Sequence, residues 1–176
     1  MHVGDGSFVI ENGMLKTQGG MGLLVYTRET FKNVTYRVIY RAADPVEAGN
    51  SGVFVRIPEK PTEAWMPVNR GYEVQIDESD DDFHRTGVLY SFTKALARPA
   101  VQEWNTMEIT LDGDRTVVTV NGEKVTDYRE GDPVPEKKQS SEPDRGRRTS
   151  DASYVGLQNH SDKDTVYFKE VSVRPL

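Results

Sequence analysis

Short β-rich runs, separated at regular intervals by turn residues, constrain the fold of this chain more than any other feature. No stretch shows the apolar period of a convincing amphipathic helix. Regularly spaced short strands predict an all-β sandwich or barrel. The runs are Phe8–Glu11, Met14–Thr17, Gly22–Tyr26, Val34–Arg41, Gly52–Ile57, Tyr72–Asp77, Gly87–Ser91, Met107–Leu111, Thr116–Val120, Lys124–Thr126, Tyr154–Gln158 and Val166–Val173.

Three of the turns between these runs carry a hairpin signal. Asn12–Gly13 and Asn121–Gly122 each join two runs, and Asn and Gly tolerate the positive φ of a type I′ turn. Asp112–Gly113–Asp114 predicts a third hairpin. Antiparallel pairing of neighbouring runs therefore follows from the turns alone.

The length of 176 residues fits a single domain that spans residues 1–176. A polar stretch from Arg129 to Asp151, rich in Pro, Ser and charge, lacks hydrophobic periodicity and predicts one long loop. Such loops are usually functional or mobile, so a functional lid and a mobile insertion both remain open. A shorter loop from Pro58 to Arg70 contains Trp65.

Composition removes several classes of function. The chain has no cysteine, which excludes disulfides, thiol nucleophiles and thiolate metal sites. Its formal charge of -6 argues against nucleic-acid binding, because neutralising phosphates requires a basic surface. No apolar run approaches the roughly 18 residues of a membrane helix. A neutral ligand such as a sugar is compatible with all of these features.

Alternation along the run Tyr72–Asp77 gives the first candidate site. Successive side chains of a strand point to opposite faces, so the apolar parity faces the core. The other parity carries Glu73, Gln75 and Asp77 outward. Three short, oxygen-bearing side chains in a row suit a hydroxyl-rich ligand, because each can donate or accept in a fixed plane.

Two further runs add polar side chains of the same kind. The parity of Asn50, Phe54 and Arg56 is expected on the outer surface, and so is that of Gln158 and His160. If the strands are neighbours, these polar groups lie together with Glu73. The alternative is an ordinary polar face on which Arg56 and Glu73 form a cross-strand ion pair.

A two-carboxylate glycosidase mechanism is weakly supported. Glu73 and Asp77 would lie about 13 Å apart in a regular strand, from a rise of ~3.3 Å per residue. Retaining enzymes need roughly 5–5.5 Å and inverting enzymes roughly 6.5–9.5 Å. A single base, either Glu73 or His160, is easier to defend.

An ordered set of motifs resembles the bacterial 3-keto-disaccharide hydrolase family, from about Gly4 to Leu176. Each motif is weak alone, but their order is specific. The motifs are Asn50–Arg56 (NSGVFVR), Gly71–Asp77 (GYEVQID), Thr86–Tyr90 (TGVLY), Glu103–Asn105 (EWN), Asn121–Gly122, Gly156–His160 (GLQNH) and the closing Val166–Val173.

The resemblance implies a concanavalin A-like lectin/glucanase jelly roll of two antiparallel sheets. It also implies cleavage of 3-keto-glycosides or disaccharides in the bacterial periplasm or outside the cell. A 3-ketone acidifies the C2 hydrogen, so one base can remove it, the C1 substituent leaves, and water adds back. The alternative is a non-catalytic, lectin-like module of a larger secreted protein.

Within this scheme we assign three candidate catalytic residues. Glu73 is the general base, or alternatively a ligand of a divalent ion. Arg56 stabilises an enolate or orients a hydroxyl group. His160 protonates the leaving group, or alternatively caps the turn before Ser161.

The candidate substrate-binding residues are Asn50, Gln75, Gln158, Trp65 and Tyr90. Trp65 could stack on a pyranose ring or pack its loop onto the sheet.

The acidic run Asp80–Asp82 first of all predicts a solvated turn, and a site for a divalent cation such as calcium is the alternative. Asp77 could bind it together with Asp80 or Asp81, because carboxylate oxygens are the ligands that calcium prefers.

Overall fold

The computed structural model describes residues 1–79 and 81–176 and has two antiparallel sheets, as predicted. The chain crosses several times from one sheet to the other, and the two sheets pack face to face as a sandwich. In chain order they are β1 (His2–Gly4), β2 (Ser7–Glu11), β3 (Met14–Gln18), β4 (Gly22–Phe31), β5 (Val34–Ala42), β6 (Ser51–Ile57), β7 (Tyr72–Ile76), β8 (Asn105–Asp112), β9 (Arg115–Val120), β10 (Glu123–Arg129), β11 (Ser153–Asn159) and β12 (Val166–Pro175).

The five-stranded sheet has the order β1-β4-β11-β6-β7, and the seven-stranded sheet has the order β10-β9-β8-β5-β12-β3-β2. Apolar side chains of one parity fill the space between them, including Val53, Val74 and Leu157 from the first sheet and Val38 and Ile109 from the second. Burial of these side chains is the main stabilising term. The polar parity of β6, β7 and β11 is therefore turned to the outer face of the five-stranded sheet.

Among the described residues, one short helix accompanies the strands. A short helix, α1 (Trp65–Arg70), lies inside the predicted loop, and its Val68 is buried. It packs on the outer face of the five-stranded sheet, over Phe54 and Val25. Six residues are too few to show an apolar period, which is why the sequence pattern missed it. This helix is not long or apolar enough to cross a membrane, nor is any other in the described part of the chain.

The run Gly87–Ser91 does not form a full strand. It makes one β-bridge, between Leu89 and Val74, and backbone hydrogen bonds to β7 such as Tyr90 N to Glu73 O at 2.9 Å. Gly87 and Ser91 both have positive φ, which interrupts an extended ladder. The run nevertheless holds Tyr90 beside Glu73.

A β-bulge near the end of β6 reverses its alternation. Tyr154 pairs with Ile57 and Gly156 pairs with Phe54, so β6 has one more residue than β11 between these pairs. Within this stretch Arg56 has a φ of 56°. Ile57 consequently joins Phe54 under α1, and Arg56 turns away from the outer face.

The expectation that Arg56 lies on the outer surface is therefore wrong. Its side chain is buried and reaches the seven-stranded sheet. The guanidinium group donates to Thr116 Oγ1 at 3.1 Å and to the carbonyl oxygens of Gly113, Arg115 and Thr149 at 3.0, 3.1 and 2.9 Å. These bonds tie β6 to the hairpin between β8 and β9.

The long connection between β10 and β11, residues 130–152, is packed against the sandwich. Glu130 and Arg148 are both buried. Glu130 accepts hydrogen bonds from Tyr72 Oη at 2.5 Å and from Arg148 N at 3.0 Å. Arg148 Nε donates to Gly71 O at 2.7 Å, and its guanidinium lies over the ring of Phe92. These contacts hold both ends of the connection against the sandwich, and its role as a lid stays a prediction.

Candidate functional site

A groove of about 270 Å³ opens on the outer face of the five-stranded sheet, beside α1. It gathers seven of the predicted site residues. Three clefts between described residues are larger. The one of about 380 Å³ contains only Asp77 of the predicted residues, and those of about 540 and 310 Å³ contain none. The groove is lined by Met21, Asn50, Trp65, Val68, Glu73, Gln75, Tyr90, Ser141, Gln158 and His160.

Glu73 lies across the floor of the groove because Gly52 leaves room for it. Gly52 pairs with Gln75, and Phe54 pairs with Glu73. A Cβ atom on Gly52 would lie 2.7 Å from Glu73 Oε1 and 2.8 Å from its Cγ. The carboxylate thus leans diagonally over a position that only glycine permits, towards the row that contains Gln75.

Burial strongly perturbs the Glu73 carboxyl group. Its side chain is almost completely enclosed, and desolvation raises its pKa to about 8. A hydrogen bond with the side chain of Gln158 acts in the opposite direction and only partly offsets this rise. A carboxyl group with a pKa near the ambient pH can both take and return a proton, as a general base requires.

Amide oxygens without partners surround this carboxyl group. Asn50 Oδ1, Gln75 Oε1 and Gln158 Oε1 are buried and accept no hydrogen bond from the described residues. Buried polar atoms are normally satisfied, so acceptors of this kind suit a ligand that brings hydroxyl donors. The groove therefore has the chemistry of a polyol site.

His160 stands at one end of the groove, and Asp164 fixes its orientation. The ring Nδ1 lies 2.8 Å from Asp164 Oδ2. Asp164 also accepts from Ser161 Oγ at 2.6 Å and from Asn50 N at 2.9 Å. Because Nδ1 is engaged, Nε2 is the ring nitrogen left for a ligand.

The rim combines aromatic and polar groups from three segments. Trp65, the first residue of α1, is half-exposed, with 50% of its surface accessible. Tyr90 stacks on the ring of His84, and its pKa is raised by burial and then by the negative charges of Glu73 and Glu142. Ser141 is the contribution of the long connection.

Asp77 lies outside the groove, near its His160 end. Burial raises its pKa, the charge of His160 lowers it, and the charge of Asp164 raises it. The described residues contain no group of three or more His, Asp or Glu side chains that could hold a metal ion. Asp81 caps a turn through Phe83 N at 2.8 Å, and Asp80 lies outside the described residues. The cation at Asp77 stays a prediction.

Strand alternation predicted one polar face, and the structure places five of its residues in the groove: Asn50, Glu73, Gln75, Gln158 and His160. Arg56 is not among them, since the bulge directs it to the opposite side of the sheet. Sequence reasoning missed the lining residues Met21, Val68 and Ser141, and also Gly52 and Asp164, which position Glu73 and His160. Only Gly52 had a usable signal, because a glycine on the outward parity beside Glu73 marks a close approach.

A family model matches residues 2–174, and its family is described as the 3-keto-alpha-glucoside-1,2-lyase-like domain. No curated protein matches the chain. Among solved structures, a Parabacteroides distasonis protein provisionally assigned as a glycosyl hydrolase has a TM-score of 0.73 at 20% identity. That alignment covers 96% of this chain and 90% of the other.

Two carbohydrate-binding proteins share the same architecture. The carbohydrate-binding module CBM66 of Bacillus subtilis has a TM-score of 0.64 at 15% identity, with 97% of this chain and 92% of that chain covered. The VIP36 exoplasmic/lumenal domain, solved with Ca²⁺ and Man3GlcNAc, has a TM-score of 0.59 at 11% identity, with 98% and 82% covered. These likenesses confirm the predicted concanavalin-like jelly roll.

Proposed function

Because the chain belongs to the 3-keto-alpha-glucoside-1,2-lyase-like family, we propose that it cleaves glycosides whose sugar carries a ketone at C3. The observation that carries this proposal is the single carboxyl group of the groove. Among the described residues that line it, Glu73 alone has a carboxyl group, and it is surrounded by neutral amides. An ordinary glycosidase needs two carboxyl groups, whereas elimination from a 3-keto sugar needs one base.

In the proposed reaction, the Glu73 carboxylate takes the proton from C2, which the neighbouring ketone acidifies. Electrons move into an enolate, and the bond between C1 and its oxygen substituent breaks. With a pKa of about 8, Glu73 is a much stronger base than an ordinary carboxylate and still yields its proton readily. Gln158, which already hydrogen-bonds to Glu73, holds the carboxylate in place.

The amides recognise the ring through both of their polar atoms. Gln75 and Asn50 have unpartnered oxygens for sugar hydroxyl groups, and their NH₂ groups can donate to the ketone or the enolate oxygen. An enclosed site strengthens such bonds because the effective dielectric constant is low. Donors that face the developing negative charge stabilise the transition state more than the ground state.

His160 completes the proton balance. Its Nε2 gives a proton to the departing oxygen, and the leaving group departs as an alcohol or a sugar. A water molecule then adds to C1 of the unsaturated ketone and loses a proton to His160. The carboxyl proton of Glu73 exchanges with the solvent in the meantime, and Glu73 then gives a proton back to C2. The net reaction consumes one water and yields a 3-keto sugar and the free leaving group.

The test is turnover of a 3-keto aryl glucoside and 3-keto-trehalose in D₂O. We expect aglycone release and incorporation of deuterium at C2, because elimination exchanges that position. Glu73→Gln should lose both signals. Its matched control is Glu123→Gln, an exposed glutamate of β10. Turnover without deuterium at C2, or an active Glu73→Gln variant, contradicts the proposed route.

One observation favours a second candidate, a carbohydrate-binding module. Trp65 is half-exposed at the rim, where an indole ring can stack on the apolar face of a sugar. Calorimetry of the wild type with unoxidised and 3-keto oligosaccharides separates the two functions. Saturable binding of both ligands without product supports the module, and turnover of the 3-keto ligand supports the enzyme.

A further inference from the structure

Asp164 is buried behind the groove and does not line it. It lies in the turn between β11 and β12, where its carboxylate oxygens make three hydrogen bonds. Oδ2 lies 2.8 Å from His160 Nδ1 and accepts from Ser161 Oγ at 2.6 Å, and Oδ1 accepts from Asn50 N at 2.9 Å. Only 8% of its surface is accessible.

This carboxylate links two residues that line the groove and come from different strands. His160 directly follows β11, and Asn50 directly precedes β6. Asp164 is itself anchored to the seven-stranded sheet, because Thr17 Oγ1 donates to Asp164 O at 3.4 Å and accepts from Val166 N at 2.9 Å. The His160 end of the groove is therefore a single hydrogen-bonded unit.

The surroundings of Asp164 favour the ionised form of its carboxyl group. Burial alone would raise its pKa, but hydrogen bonds from Ser161, His160 and the Asn50 backbone outweigh it, so the pKa is lowered. An ionised carboxylate has no proton to donate, so in its contact with His160 Nδ1 it can only be the acceptor. The neutral ring must then carry its proton on Nδ1, and the lone pair of Nε2 is available in the groove.

We propose, on the basis of the function proposed above, that Asp164 is the positioning residue for His160. It holds the ring with Nε2 towards the substrate and fixes the tautomer that can take a proton from water. When the ring is protonated, the same contact leaves the Nε2 proton as the one to be given to the leaving oxygen. Asp164 does this without touching the substrate.

The decisive measurement is the tautomer of His160, read from the ¹⁵N shifts and long-range ¹H couplings of its ring. His2 and His84 are the other histidines, so a His160→Gln spectrum assigns the signal. We expect the proton on Nδ1 in the wild type. In Asp164→Asn, the introduced amide can donate to Nδ1, so the proton should move to Nε2. Asp162→Asn, at an exposed position of the same turn, is the matched control and should leave the tautomer unchanged.

Kinetics provide the second readout. In Asp164→Asn, kcat should fall by about tenfold to a hundredfold, with KM nearly unchanged. This loss is smaller than the roughly 10²–10⁴-fold that a general acid contributes, because His160 itself is still present. A wild-type ring protonated on Nε2, or an unchanged tautomer in Asp164→Asn, overturns the proposal. If the wild type turns over no 3-keto substrate, the proposed function fails, whereas the tautomer still decides the positioning role.

Discussion

Replacing Glu73 by Gln should make the protein progressively more stable, relative to the wild type, as the pH rises from about 5 to about 8. In the folded state burial raises the pKa of Glu73 to about 8, against an ordinary value of 4.5. Between these values the unfolded chain has released the proton and the folded chain still holds it. Stability of the wild type therefore falls with increasing pH in this window.

The magnitude follows from the size of the shift. Each pKa unit corresponds to about 1.36 kcal/mol, so the full shift from 4.5 to about 8 is worth about 5 kcal/mol. Over three pH units inside the window, the difference in unfolding free energy between the variant and the wild type should grow by about 4 kcal/mol. Other titrating groups are common to both proteins and cancel in the difference.

Urea unfolding at a series of pH values, followed by the fluorescence of Trp65 and Trp104, measures this difference. Glu123→Gln, which changes a glutamate at an exposed position of β10, is the matched control. A flat curve for Glu73→Gln would refute the reasoning, because it would mean that the carboxylate is hydrated in the folded protein.

Three further substitutions test separate parts of the site. Gly52→Ala should lower kcat at least tenfold with little effect on KM, because the new methyl group displaces Glu73; Gly20→Ala, whose methyl group would approach nothing closer than 4.0 Å, is its control. Trp65→Ala should raise KM about fivefold through the loss of a stacking contact worth roughly 1 kcal/mol, with kcat unchanged. Arg56→Met should lower the unfolding free energy in urea by about 3–5 kcal/mol and leave kcat of the folded protein unchanged, since it removes buried structural bonds; a catalytic Arg56 would give the opposite pattern.

Simple alternation was sufficient to place Glu73, Gln75 and Gln158 on one face, because β7 and β11 are regular where these residues lie. It failed at Arg56, where a bulge inserts one residue into β6. A bulge usually has a sequence signal when glycine takes the positive φ, but here the residue at φ 56° is an arginine. The four hydrogen bonds of its guanidinium stabilise this conformation, and their acceptors lie in segments that are far away in the chain.

Asp164 shows a different limit of sequence reasoning. It lies in a polar turn, and the sequence of this turn predicts an ordinary solvent-exposed loop. No local feature of the sequence distinguishes Asp164 from Asp162. Its role depends on Asn50, which lies more than a hundred residues earlier in the chain. The backbone N–H of Asn50 donates a hydrogen bond to the Asp164 carboxylate. Long-range contacts of this kind are set by the packing of strand ends, so a pattern within one segment cannot predict them.

The state of Glu73 itself favours chemistry over mere recognition. A glutamine at this position could hydrogen-bond a sugar hydroxyl equally well, and it would avoid the cost of about 5 kcal/mol that burial imposes on the carboxylate. No cation among the described residues contributes to the pKa of Glu73 and offsets that cost. Gly52 is also needed to make room for this side chain. A buried carboxylate of raised pKa gives a binding module no advantage over an amide. An enzyme that must take a proton from carbon, in contrast, obtains a stronger base from it.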